Sequence, residues 1–255
     1  IRTIMGELSR LSDHLTCLGA GALELNAMTA FLYAIEGREL VWDIVEAVTG
    51  ARMTVSYGRI GGVKDDLPEN FGEMWQKARA RILDIHATTH KLLSRNRIFL
   101  DRMEGTGVLT PDQAIAWGYT GPTLRSTGVA YDVRKDHPYF KYNEVDFTVP
   151  VGTRGDNYDR YLVRMEELVQ SVSIIDQALE KMEPGPINTD DPRVMLPEKQ
   201  KVYNSIEGMI AHFKIVFEGI QVPAGEVYSY TEGGCGELGF YIVSNGTGKP
   251  WKVHV

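Results

Sequence analysis

A chain of 255 residues with 43% hydrophobic content is long enough to bury a large core. Its net charge of −7 leaves no basic surplus to neutralise phosphates, so nucleic acid is not the expected partner. Two cysteines, Cys17 and Cys235, are too few and too far apart in sequence for a disulfide framework or a CxxC metal clip, and no apolar run reaches membrane-spanning length.

The chain opens without a signal-peptide pattern, directly in amphipathic helix. Ile1, Ile4, Met5, Leu8, Leu11, Leu15 and Leu18 share one stripe, while Arg2, Glu7, Arg10, Asp13 and His14 point to the other faces. A second helix is expected over Thr29 to Thr49, closed by Gly50. Between the two lies Glu24, a carboxylate in the nearly uncharged run "GAGALELNAMTAFLYA", at a solvent boundary or facing a pocket. The connection "SYGRIGGVKDDLPENF" follows, with glycines at 58, 61 and 62 beside Arg59, Lys64, Asp65 and Asp66. Those charges suit a solvated loop, but glycines at this density permit close approach by something else, and a partner or ligand is the expected reason. Asp66 and Glu69 fit a capping box for a third helix that carries Phe71, Met74, Trp75, Ala78, Ile82 and Ile85 to about Arg95. "TPDQAIAWG" is a short capped helix from Thr110 to Gly118.

Residues 118–154 mix glycine, proline, aromatics and both charge signs without a helical stripe. They are too aromatic for disorder and too long for an idle connection. Helices are then expected from about Asp156 to Glu183 and from Glu198 to Glu218. The tail "GEVYSYTEGGCGELGFYIVSNGTGKPWKVHV" alternates like short antiparallel strands. The expected organisation is a single mainly helical domain over 1–255 with a small β appendage, and both ends read as cut from a longer sequence.

No self-contained catalytic constellation emerges. His86 and His90 have zinc-compatible spacing, but no glutamate follows His86 as HExxH requires, and packed or surface histidines are expected. "NGTGKP" lacks the first glycine and the Ser/Thr of a phosphate loop and suits a hairpin turn. "TGVAYD" and "RIGGV" do not meet GxGxxG, and no GxSxG elbow is present.

"RIGGVKDDLP", "LRSTGVAYDVRKDHPY", "GDNYDRYLVRMEEL", "EPGP" and "GELGFYIVSNGTGKPWKV" together resemble the 49-kDa-type subunit of respiratory complex I, the proton-pumping NADH:quinone oxidoreductase. This subunit family is related to the large subunit of nickel–iron hydrogenases. The likeness extends over essentially the whole chain in order. It implies a mainly α fold, a long-helix bundle of the hydrogenase large-subunit type with short antiparallel β-strands near the C-terminus. It also implies an oxidoreductase subunit active only within the complex, coupling electron transfer from NADH to quinone to proton translocation. Implied partners are the small iron–sulfur subunit, other peripheral-arm subunits and the membrane arm. The implied place is peripheral, on the cytoplasmic side of a bacterial inner membrane or the matrix side in mitochondria. No cofactor is expected on this chain itself; quinone is the substrate and an adjacent 4Fe-4S cluster belongs to the partner.

Carried onto this sequence, the family's buried acidic position, which pairs with a histidine near the quinone, falls on Glu24. Thr16, Ala20, Glu24 and Phe31 fall on positions lining the quinone cavity. The resemblance puts Thr54, Arg59, Gly61, Gly62, Arg125 and Arg134 at the interface with the iron–sulfur subunit, with no metal bound by this chain. The headgroup-binding histidine and tyrosine belong upstream of Ile1, and family sequence continues past Val255. After "TGARM" many members carry a histidine beside the terminal cluster, where this chain has Thr54. A protonatable neighbour couples cluster reduction to proton uptake. The expected result in the intact complex is therefore a lower cluster potential with weak pH dependence. A redox titration with ordinary pH dependence would count against it. A hydrogenase-type or other donor-driven complex, and a non-catalytic scaffold, remain the alternatives.

Overall fold

A computed structural model describes all 255 residues, Ile1–Val255. The chain divides into two units, Ile1–Ser56 with Leu67–Glu183 and Glu232–Glu237, and Tyr57–Asp66 with Pro184–Thr231 and Leu238–Val255.

In the first unit the N-terminal apolar stripe becomes α1 (Arg2–Glu24), with Ile4, Leu8, Leu11, Leu15 and Leu18 buried. Removing these side chains from water stabilises the fold by roughly 1.5–3 kcal/mol each. Leu25 and Asn26 turn the chain into α2 (Met28–Thr49), which ends at Gly50 with φ +81°, the left-handed conformation expected of a C-terminal glycine. Helix α3 (Phe71–Leu93) buries Phe71, Trp75, Ala78, Ile82 and Ile85 on one face. Short α4 (Arg97–Met103), α5 (Pro111–Ala116), α6 (Gly121–Arg125) and α7 (Val133–Asp136) lead to α8 (Asn157–Glu180). Helix α1 packs on α2 and α8, and α3 packs on the same two, so the four long helices enclose a shared core.

Most of the expected ends are observed. Thr110 and Gln113 form a reciprocal capping box for α5, and Asp156 accepts the Asp159 amide at the start of α8. The Asp66–Glu69 box does not form: the Phe71 amide donates to the Pro68 carbonyl in a turn, and α3 begins only at Phe71, whose ring is buried. Residues 118–154 contain α6, α7 and a 3-10 turn at Tyr142–Glu144, each too short to show a periodic stripe.

The second unit contains a two-residue antiparallel ladder, β1 (Gly58–Arg59) with β2 (Gly62–Val63), and helices α9 (Lys199–Asn204) and α10 (Ile206–Phe213). The single helix expected over 198–218 is split at Ser205, whose extended backbone breaks it and whose hydroxyl caps α10 by accepting the Gly208 amide. Met209, Phe213 and Phe217 are exposed along α10 and the turn after it. The tail forms the expected antiparallel sheet, order β3 (Gly225–Gly233), β4 (Gly236–Ser244), β5 (Lys252–His254). The tip of its first hairpin, Glu232–Glu237, belongs to the first unit. No helix is long and apolar enough to cross a membrane.

Candidate functional site

The first unit holds a connected set of buried charges. Glu7, Arg10 and His14 recur at helical spacing along α1, and all three are buried rather than on the outward faces the sequence suggested. Arg125 ends α6, Asp132 caps α7, Arg134 lies within α7, Glu167 is on α8, and Glu232 is at the hairpin tip. Arg134 donates from Nε and Nη2 to Asp132 (3.0 and 2.7 Å) and from Nη1 to Glu7 (3.1 Å). Arg125 donates from Nε to Glu167 Oε1 (2.9 Å) and from Nη1 to Glu232 Oε1 (2.8 Å). Arg10 stands 3.6 Å from Glu7 and 3.7 Å from Glu167, and its terminal nitrogens donate to the carbonyls of Gly233 and Glu232. His14 Nε2 lies 2.7 Å from Glu167 Oε2.

Burial opposes every charge here, and the partners decide the outcome. It pushes the Glu7 carboxyl up, but Arg134 and Arg10 together hold it below the usual carboxylate range. Against the same burial, Asp132 is held low by Arg134, and Glu167 by His14 and Arg125. Burial, Arg10 and Arg164 outweigh Glu167 at His14 and favour the neutral imidazole. Glu232 is the exception: burial, reinforced by Asp132, outweighs Arg125 and leaves its carboxyl raised.

A second feature lies at the other end of α1. Thr16, Ala20 and Glu24 repeat at i, i+4 and are all exposed, with the Thr16 hydroxyl donating to the Ser12 carbonyl (2.7 Å). Phe31 on α2 is half-buried and reaches Gly19, where an added Cβ would lie 3.5 Å from its ring. Leu23, Met28 and Leu32 leave apolar surface exposed along the same turn. Glu24 also borders a cavity of about 310 Å³ with Leu18, Phe99, Tyr161, Arg160 and Arg164.

The model of the respiratory-chain NADH dehydrogenase 49-kDa subunit matches residues 24–255. The chain belongs to that family. An NADH-quinone oxidoreductase subunit of Sorangium cellulosum (strain So ce56) is 54% identical over the whole chain, which covers 63% of that relative. The corresponding protein of Myxococcus xanthus (strain DK1622) is 54% identical, with 61% covered. That of Pelobacter propionicus (strain DSM 2379 / NBRC 103807 / OttBd1) is 49% identical, with 63% covered. The chain thus spans about three fifths of the length of these relatives.

Within this 49-kDa-type chain the carried-over residues differ in burial. Glu24, carried over from a buried acidic position, is exposed at the last turn of α1. Arg125 and Arg134, expected at a subunit interface, are 0% and 1% exposed, so their guanidinium groups face this chain's own carboxylates. Thr54 is exposed and Arg59 half-buried, with Arg59 Nη1 donating to the Gly58 carbonyl.

The glycine-rich loop is explained within its own unit. A Cβ on Gly62 would lie 2.1 Å from the Ile187 carbonyl oxygen, and one on Gly61, at φ +92°, 2.3 Å from the Thr189 side chain. The Val63 amide donates to Ile187 O and the Thr189 amide to Gly61 O. Residues 187–189 of the same chain make the close approach seen at Gly61 and Gly62.

His86 and His90 stack with ring centroids 6.2 Å apart, and His90 Nδ1 meets the Ser94 hydroxyl at 2.7 Å. Sequence reasoning missed the buried network. The one available signal was the helical recurrence of Glu7, Arg10 and His14, which is equally compatible with a solvated face.

Proposed function

We propose that this chain is a subunit of a proton-pumping NADH:quinone oxidoreductase, and that Thr16, Ala20, Glu24 and Phe31 contribute one wall of its quinone-reduction site. The observation that carries this reading is the 54% identity, over all 255 residues, to a protein named as a subunit of NADH-quinone oxidoreductase. Electrons from NADH arrive through other subunits and leave onto quinone beside a cluster held by the small iron–sulfur subunit. That transfer is coupled to proton translocation. This chain supplies surface and charge, not an electron carrier. Thr54 and Arg59 are the side chains accessible to an iron–sulfur partner, while Arg125 and Arg134 act from inside by holding the segment 121–136 in place.

The chemistry of the wall supports the reading. Quinone is an apolar ring with two carbonyl oxygens that gain protons on reduction. Leu23, Met28, Leu32 and Phe31 offer apolar contact, and Glu24 offers a carboxylate at the rim able to hold or pass a proton. Exposed Met209, Phe213 and Phe217 fit a chain that is covered by neighbours in an assembly. The complex would lie peripherally on the cytoplasmic side of a bacterial inner membrane.

Glu24→Gln in the intact complex tests this. Loss of the proton-carrying group is expected to slow quinone reduction by about tenfold or more, with subunit assembly unchanged. Full quinone reductase activity in an assembled variant would remove Glu24 from the site and favour a scaffold role.

A further inference from the structure

Arg160 and Arg164 stand one turn apart on α8, and both line the cavity that Glu24 borders. Arg125 and Arg134 aim their forks at carboxylates, whereas these two meet only neutral groups. Arg160 Nη1 donates to the Asn157 side-chain oxygen (2.5 Å), and its Nη2 donates to the carbonyls of Gly107 and Gly155 (2.5 and 2.8 Å). Arg164 Nη1 donates to the Arg160 carbonyl at 3.3 Å. The Nε of each is buried and has no acceptor. A buried N–H left without a partner costs the full desolvation of that group.

Arg164 is near enough to His14 to oppose a proton there, so its charge is shared with the buried network; what stays unused is its fork. Burial and Arg164 push the Arg160 guanidinium down against the attraction of Asp156. Glu24 borders the cavity without bonding either arginine.

The cavity itself selects the partner. Its volume of about 310 Å³ equals roughly ten water molecules at ~30 Å³ each. Leu18, Phe99 and Met103 give it an apolar wall. A guanidinium fork matches the two oxygens of a carboxylate. A phosphate dianion would bring more charge and hydration than this wall can replace, and Glu24 at the rim would repel it more strongly.

We propose that Arg160 and Arg164 form a binding site for a carboxylate carried on a small apolar body, which fills the cavity between α1, α4 and α8. The site does not depend on the quinone reading: of the residues given to that wall, only Glu24 borders this cavity. Its occupant is either a free small molecule or a carboxylate supplied within the assembled complex.

The test is alkylation of Cys17, which lines the same cavity, in the intact complex and followed on the peptide that contains it. Iodoacetate is a small carboxylate and iodoacetamide its neutral counterpart; with free cysteine the anion is the slower reagent, because the thiolate repels it. At Cys17 iodoacetate should gain about tenfold on iodoacetamide relative to free cysteine. Benzoate should protect Cys17 at concentrations where inorganic phosphate does not, and Arg164→Gln should remove both the preference and the protection. These results assign a free carboxylate. Where the complex supplies its own carboxylate, Cys17 should resist both reagents in the wild type and react with iodoacetamide in the variant. If Arg164→Gln does not assemble, Arg164→Lys, which keeps the charge without the fork, should weaken the same responses. An equal preference in wild type and variant, protection by phosphate but not by benzoate, or a Cys17 inert in both proteins would overturn the proposal.

Discussion

Arg125→Ala is expected to destabilise the folded chain by about 3–5 kcal/mol, the range for breaking a buried ion pair from one side. The Arg125 side chain is fully buried and donates to Glu167, Glu232 and the Tyr131 carbonyl at 2.8–2.9 Å. Truncation leaves Glu167 without its main cation and removes the one guanidinium that Glu232 has. Neither acid is exposed to water. The loss is read as a shift of the chemical-unfolding midpoint. Arg125→Ala combined with Glu167→Gln should be less damaging than the two effects summed, because the orphaned charge is then gone. A single-variant loss below about 1 kcal/mol, the level of a surface pair, would mean that the network is not a stabilising unit.

The second large effect is a loss of stability in acid that starts unusually early. The neutral His14 imidazole is favoured in the folded state, whereas the unfolded residue titrates near about 6.5. The unfolded chain therefore binds more protons below that pH, and folding stability falls as pH drops through it. Glu7, Asp132 and Glu167 are held low in the fold, so their contribution is complete above the ordinary values of 4.5 and 3.8 and is lost as pH falls below them. Glu232, raised in the fold, has the opposite sign: its contribution is complete below 4.5 and is lost as pH rises through its folded value. One group cannot offset four. Each unit of pKa difference corresponds to about 1.4 kcal/mol. Melting temperature against pH should decline in two stages, and His14→Gln should shrink the upper stage, which His86 shares because burial and His90 also favour its neutral ring, while sparing the lower one. A wild-type profile flat down to about pH 5, or an unchanged upper stage in the variant, would refute the role given to His14.

How much of this was legible beforehand depended on sequence distance. The stripe from Ile4 to Leu18, the Gly50 stop and the Thr110–Gln113 cap are set by residues within a few turns, and they could be read directly. The charges on α1 could not. Glu7 becomes a core residue because Arg134, 127 positions away, folds onto it. Arg10 becomes one because the hairpin tip, 222 and 223 positions later, accepts its protons. Periodicity says which residues share a face, not what covers that face. Gly61 and Gly62 show the same limit: the need for close approach was visible, but its source, residues 187–189, was not. At Glu24 the nearly uncharged neighbourhood raised the question of burial, and the end of α1 leaves it exposed.

The distance between Arg10 and its carbonyl acceptors also sets an order of events during synthesis. A nascent chain that has emerged only as far as α8 already carries Glu7, His14, Arg125, Asp132, Arg134 and Glu167, but neither Glu232 nor the two carbonyls that Arg10 binds. Until the ribosome has released the hairpin, Arg10 faces Glu7 and Glu167 without its two carbonyl acceptors, so a helix translated well ahead of that hairpin is completed only when the hairpin arrives.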